Sequence, residues 1–186
     1  MNVKIINKDE VRQLFKHWSE FSATCYNSTI SPVHPDVIGK HCLASGHFSG
    51  SRSRYIEFEI TDIPRFVIDQ MVRHEVGVVK NVQSFRYVNK DNATVEIPTT
   101  IKDNPELMDK YNKVINATFE LYDEIAEYVT VKSNSKERGN EQARYLIPMA
   151  THSAVTIGFT LEAFIHYCNN NFIFRSWTCC NSYWYY

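Results

Sequence analysis

Charge of one sign, long apolar runs and paired cysteines are all scarce in this sequence. Twenty Lys and Arg stand against 21 Asp and Glu in 186 residues, a formal net charge of -1. That balance excludes a broadly basic coat for nucleic acid or an anionic membrane, so any anion site must be a local cluster. Apolar stretches such as Phe66-Val67-Ile68 and Ala163-Phe164-Ile165 fall far short of the roughly 20 residues that cross a bilayer. The opening stretch, 1–8, lacks the apolar core of a secretory signal. Five cysteines is an odd number without framework spacing, and Cys179 and Cys180 are neighbours, which does not suit two ligands of one tetrahedral ion. The expectation is a reducing, cytoplasmic protein with no metal site, no membrane span and no nucleic-acid partner. The Asn-x-Ser/Thr triplets at Asn27, Asn92 and Asn116 are then chance matches rather than glycan sites. Also missing are a Gly-rich dinucleotide loop, a Gly-x-x-x-x-Gly-Lys phosphate loop, a Gly-x-Ser-x-Gly elbow and any Cys-x-x-Cys pair, and with them the best local signals of several enzyme classes.

What is present is the composition of a folded protein, with 44% hydrophobic and 22% charged residues. The length suits a single domain over 1–186. Apolar residues Val11, Leu14, Phe15, Trp18 and Phe21 recur at three and four, which predicts a helix over 9–24 opened by Asp9; a second is expected over 35–45, stopped by Gly46. Strict alternation over 55–60, with Ile56, Phe58 and Ile60 on one side and Tyr55, Glu57 and Glu59 on the other, predicts a half-buried strand. Pro64 then suits the start of a helix that runs to His74. An irregular segment is expected over 80–92, a long helix over 105–129, an exposed loop over 132–139, a short helix into Arg144 and a break at Pro148. A strand over 154–159 and a helix over 160–169 complete a mixed α/β (α+β) chain with a central sheet flanked by helices.

The residues that stand out are arginines and histidines beside short polar side chains, in four clusters: Ser45-Gly46-His47-Phe48-Ser49, Gln70-Met71-Val72-Arg73-His74, Ser84-Phe85-Arg86-Tyr87, and Ala143-Arg144-Tyr145-Leu146-Ile147-Pro148. Taken singly, each has an ordinary reading as a solvated or salt-bridged side chain or a turn cap. Their order and spacing carry the information, with eight residues between Glu75 and Ser84. In that order the clusters resemble the signature of the flavin-dependent thymidylate synthases, over about residues 20–176. The resemblance implies that family's fold and its reaction: methylation of dUMP at C5, with methylenetetrahydrofolate as carbon donor and NADPH reducing a bound FAD. It also implies a homo-oligomer, a tetramer whose sites are shared between subunits. Matched residue by residue, it assigns Gln70, Arg73, Ser84, Arg86, Arg144 and Arg175 to the substrate, with Arg86, Arg144 and Ser84 as the catalytic residues and Arg86 or Arg144 polarising the pyrimidine or holding its phosphate, and His47, Ser49, Arg73, His74, Asn81 and His166 to the flavin. The chemistry suits these residue types, since an arginine fork binds phosphate oxygens bidentately and serine hydroxyls complete the cradle.

The departures are equally specific. The family's Arg-His-Arg ends here in Glu75, and its Asn-x-Arg on the last helix reads Thr160-Leu161-Glu162, with His166 at the motif's end. Two expected cations are therefore acids, each lost charge-assisted hydrogen bond being worth about 1.5–3 kcal/mol. Arg52 and Ser53 replace a Glu-His pair, Asn171 replaces a substrate-activating arginine that Arg175 could stand in for, and residues 177–186 form a divergent aromatic tail. These changes leave open a second reading, a diverged homologue with altered or lost redox chemistry that binds or modifies another pyrimidine nucleotide. A third, a structural partner acting through the tail, rests on composition alone.

Overall fold

The computed structural model describes residues 1–88 and 93–169. One four-stranded sheet, in the order β1-β2-β4-β3 with every neighbouring pair antiparallel, organises these residues. The long central pair is β2 (Tyr55–Pro64) and β4 (His152–Thr160); β1 (Asn2–Ile5) and β3 (Val78–Val82) are the edges. The expected alternation is observed. Ile56 faces Phe159, Phe58 faces Ile157 and Ile60 faces Val155, so one face is apolar. On it pack α4 (Arg65–Met71) and α8 (Leu161–Asn169) through Val67, Ile68, Met71 and Tyr167.

The opposite face carries Glu57, Glu59, Asn81 and Thr156, half-buried or exposed. The helices α4 and α8 therefore pack on the apolar face of the sheet, in keeping with the expected central sheet flanked by helices. The two edge strands were not anticipated. β1 has three exposed residues in four and β3 three in five, so neither shows the alternation that betrays β2. Asn7 extends the β1 edge with its side chain, donating to Tyr55 O at 2.9 Å and accepting from Glu57 N at 3.0 Å.

The expected first helix is two: α1 (Lys8–Arg12) and α2 (Leu14–Tyr26). Asp9 does not open it, and Phe21 is exposed while Leu14 and Trp18 are buried. Trp18 lies between Phe15 and Phe48 at 5.9 and 6.4 Å. Against α2 packs α3 (Val37–Ala44), and Gly39 sits where a Cβ would come within 2.6 Å of Phe15 O. The backbone N–H of Gly39 donates to Ser19 Oγ at 2.8 Å, so the crossing is both close and polar. This pair supports a 3₁₀ turn over Phe48–Arg52, where Gly50 lies flat against Trp18.

α4 ends at Met71, short of the expected His74. Lys80 follows from β3 and donates to Val72 O and to His74 O, the latter at 3.3 Å, which satisfies carbonyls left open at the end of the helix. Gly77, at φ +70, reverses the chain into β3, and a Cβ there would meet Thr160 Oγ1 at 2.5 Å.

After the short α5 (Thr99–Lys102) comes α6 (Pro105–Ser133), opened by Pro105 and by Asn104, whose side chain accepts from Glu106 N at 3.1 Å and Leu107 N at 3.2 Å. Asn134 ends it in the left-handed region. Ser135 then caps α7 (Lys136–Ala143), so most of the expected loop over 132–139 is helical. Gly139 lets α7 lie against α6, and a 3₁₀ turn over Arg144–Leu146 leads into β4.

Candidate functional site

Ser84 and Arg144, far apart in sequence, line one cleft of about 360 Å³ together with Arg65, Phe85 and Pro148. One wall is the turn that follows β3. Within it Ser84 Oγ accepts from Arg86 N at 3.3 Å, and Ser84 O accepts from Tyr87 N and Val88 N at 3.2 Å each. The serine hydroxyl hydrogen is left free to donate into the cleft. The other wall is the segment 144–149, held by Thr151 N donating to Pro148 O and Phe66 N to Met149 O, both at 2.9 Å. The side chain of Arg144 is exposed and has no partner among the described residues. A cation without a carboxylate in a cleft of this size has the chemistry to hold an anion.

Arg86 is placed differently from what the resemblance implies. Its Nη2 donates to Glu137 Oε1 at 2.9 Å, its Nε lies 3.4 Å from Glu141 Oε1, and its guanidinium sits 5.7 Å from the Tyr87 ring centroid. Two carboxylates of α7 hold it, and it does not line the cleft. Asn140 of α7 donates to Arg86 O at 3.1 Å, so the same helix fixes the turn that presents Ser84 and leads directly to Arg144. Asn81 lies on the open face of the sheet, in an adjoining cleft with Glu59, Thr156 and Tyr87; Ser84 borders both clefts.

Of the residues assigned to a flavin, His166 lies in α8 and His74 against it, whereas Asn81 is on the opposite face of the sheet. His47 and Ser49 are exposed on the 3₁₀ turn, which reaches α8 through Arg52: its Nη2 donates to Glu162 Oε1 at 3.0 Å and its Nε to Glu162 Oε2. The Arg52 guanidinium holds the Glu162 carboxyl below the usual carboxylate range, with a smaller contribution from nearby His166. His74 meets Tyr167 edge-on at 5.1 Å, and burial pushes the Tyr167 hydroxyl up to about 12. Arg73 is exposed, without a partner among the described residues, and Gln70 is exposed in the last turn of α4. Arg175, Asn171 and the tail 177–186 lie outside the described residues. The acid at 162 is therefore neutralised by an arginine at the position where the family pattern has a glutamate. Only Glu75, exposed and unpaired among the described residues, opposes an anionic cofactor. Arg73, His47, Ser49 and His74 are donor types that suit the diphosphate of FAD, whereas Asn81 lies on the other face of the sheet and does not join them.

Sequence reasoning missed Arg65 and the role of Arg52. Arg65 had a faint signal, a cation directly after the helix-opening Pro64; Arg52 had none, because its partner is 110 residues away. Among the described residues no helix is long and apolar enough to cross a membrane, and no cluster of His, Cys, Asp or Glu could hold a metal.

Fold and cleft together define a mixed α/β protein with an arginine-lined cleft beside a helix-covered antiparallel sheet. A sequence model of the family described as thymidylate synthase complementing protein matches residues 8–172, and the chain belongs to that family. It is 27% identical over 158 residues to a flavin-dependent thymidylate synthase of Thermococcus onnurineus, covering 83% of this chain and 60% of the relative. With one from Pyrococcus abyssi it is 29% identical over 163 residues, covering 83% and 61%. The chain thus spans about three fifths of the length of these relatives. The fold is shared with the crystal structure of a UMP/dUMP methylase, PolB, from Streptomyces cacaoi bound with 5-Br dUMP, at a TM-score of 0.58 and 16% identity, covering 89% of this chain and 75% of that one.

Proposed function

We propose that the chain binds a pyrimidine nucleoside monophosphate, dUMP or a close analogue, in the cleft of Ser84 and Arg144, and methylates its C5 in a flavin-dependent reaction. The observation that carries this reading is the unpaired Arg144 guanidinium in the same cleft as the free Ser84 hydroxyl. Arg144 binds a phosphate or carbonyl oxygen as a fork, and Ser84 donates a further hydrogen bond. Bound FAD supplies the hydride equivalents of a reductive methylation, with NADPH and methylenetetrahydrofolate as co-substrates. Arg73, His47, Ser49 and His74 would hold the cofactor. Membership of the family and the resemblance of the four motifs support the reaction. The proposed assembly is a homo-oligomer, a tetramer, in which the exposed Arg73 and Gln70 serve a site shared with a neighbouring subunit.

Arg144→Ala is expected to weaken dUMP binding by one to two orders of magnitude, from the roughly 1.5–3 kcal/mol of a charge-assisted hydrogen bond. Isothermal titration of the purified chain with dUMP reads this directly. Equal affinity in the variant and the wild type removes Arg144 from the site. The visible spectrum of the same preparation, with FAD added where it is colourless, tests the cofactor.

A further inference from the structure

The cleft holds a second cation that none of the four motifs contains. Arg65 opens α4 next to the buried Pro64, and its backbone N–H donates to Thr151 O at 2.9 Å, which fixes its position relative to the start of β4. Its side chain is 31% exposed and its guanidinium lies 6.0 Å from the Phe85 ring centroid. Nη1 donates to Gln83 O and Nε to Asp69 Oδ1, both at 3.3 Å. Those bonds orient the fork without using Nη2, whose hydrogens are free to donate. Phe85, Gln83 and Asp69 thus hold the plane of the guanidinium from three sides. An arginine oriented in this way loses little freedom on meeting an anion.

We infer that Arg65 is a phosphate-binding residue, the second arm of an arginine pair that, with Arg144 and the Ser84 hydroxyl, holds the phosphate monoester of the nucleotide in this cleft. The inference rests on the nucleotide-binding reading above and adds a residue to it. A phosphate monoester carries nearly two negative charges and three terminal oxygens, more than one guanidinium satisfies. Arg86 cannot supply the second cation where it stands, since Glu137 and Glu141 already surround it. Arg65 faces a single carboxylate, Asp69, whose side chain is 40% exposed. That acid partly offsets the charge of Arg65 and positions it, so it sets how strongly the cleft attracts phosphate.

The test is titration calorimetry of the full chain with dUMP and with deoxyuridine, which shares the base and sugar but lacks the phosphate. Arg65→Gln is expected to weaken dUMP at least about tenfold and leave deoxyuridine unchanged. Asp69→Asn, which keeps the shape and removes the competing charge, is expected to tighten dUMP by about two- to fivefold, again without effect on deoxyuridine. Wild-type affinity for dUMP in Arg65→Gln overturns the inference, and so does an equal loss for both ligands, which marks a structural role. Should Arg65→Gln fail to fold, unchanged or weaker dUMP binding in Asp69→Asn overturns it independently. A wild-type chain that binds dUMP no better than deoxyuridine overturns the nucleotide-binding reading itself, whereas loss in Arg144→Ala with none in Arg65→Gln overturns only the part given to Arg65.

Discussion

Asp62 adopts φ +57 inside β2, where the register against β4 shifts between Ile60 and Ile63. A bulge with a left-handed residue re-aims a side chain, and here the carboxylate is turned onto His152 Nδ1 at 2.8 Å and the amine of Met1 at 3.2 Å. The other ring nitrogen of His152 lies 3.1 Å from Glu96 Oε2, so the imidazole ties the sheet to the segment that precedes α5. The hydrogen bond from His152, then the bond from the amine, holds Asp62 below its ordinary value. A carboxyl with a lowered folded-state pKa adds stability above its unfolded value, near about 4, and loses it as the pH falls through the folded value. Acid unfolding of Asp62→Asn, a residue equally at ease at positive φ, is therefore expected to depend less steeply on pH between about 5 and 3 than that of the wild type; identical slopes would show that the pairing contributes nothing. Glu162 has the same sign of shift from Arg52, yet at this scale the two acids that replace family cations differ. Glu162 is paired and electrically silent, whereas Glu75 stands exposed without a partner among the described residues. The sequence shows both substitutions equally well, and only the fold separates them.

At the scale of elements, the site depends on α7. This helix holds Arg86 through Glu137 and Glu141, holds the turn after β3 through Asn140, and ends at Arg144. Its distance from α6 is set by Gly139, where a Cβ would stand 2.1 Å from Thr130 Oγ1 and 2.5 Å from Ala126 O. The hydroxyl can rotate away but the backbone oxygen cannot, so Gly139→Ala forces the helices apart. The expected cost is about 1–3 kcal/mol, read by urea unfolding, together with weaker dUMP binding because Arg144 moves with the helix; wild-type stability would mean the pair has slack. The elements legible in the sequence were those whose periodicity is local. β2 shows it in Ile56, Phe58 and Ile60, and α6 in its long three-and-four pattern closed by an Asn on each side. β3 was hidden because Lys80, on the apolar face, turns its ammonium back to the carbonyls beyond α4. α7 was read partly as loop because its residues are polar; its helical signal is the Ser135 cap rather than an apolar face. Motif order pairs Ser84 with Arg144, and both line one cleft. The capture of Arg86 was illegible, because it depends on acids about fifty residues away in sequence that carry no motif of their own.

At the scale of the molecule, an apolar stripe along α6 is the feature left uncovered among the described residues. Leu107, Val114, Leu121 and Tyr128, spaced by seven, are 46%, 64%, 46% and 66% exposed, while Tyr122, on another face, is 2% exposed. A seven-residue spacing drifts only slowly around a helix, so these side chains form one stripe along most of its length. Single exposed apolar residues need no explanation, but a continuous stripe on a 29-residue helix does. The proposed homo-oligomer supplies one, since the same stripe on a second copy would bury it. The proposal also bears on the site: Gln70 and Arg73 are exposed and do not line the cleft of Ser84 and Arg144, and an assembly gives them something to meet. Light scattering during gel filtration is expected to find the wild type larger than one chain, and Leu121→Asp, which places a charge in the middle of the stripe, to shift it to a smaller species. The same variant should weaken dUMP less than Arg144→Ala if only shared residues are lost, and leave the secondary structure unchanged. A wild-type chain that elutes as a monomer sinks the assembly, and with it the role given to Gln70 and Arg73; an oligomer indifferent to Leu121→Asp places the interface elsewhere than on α6.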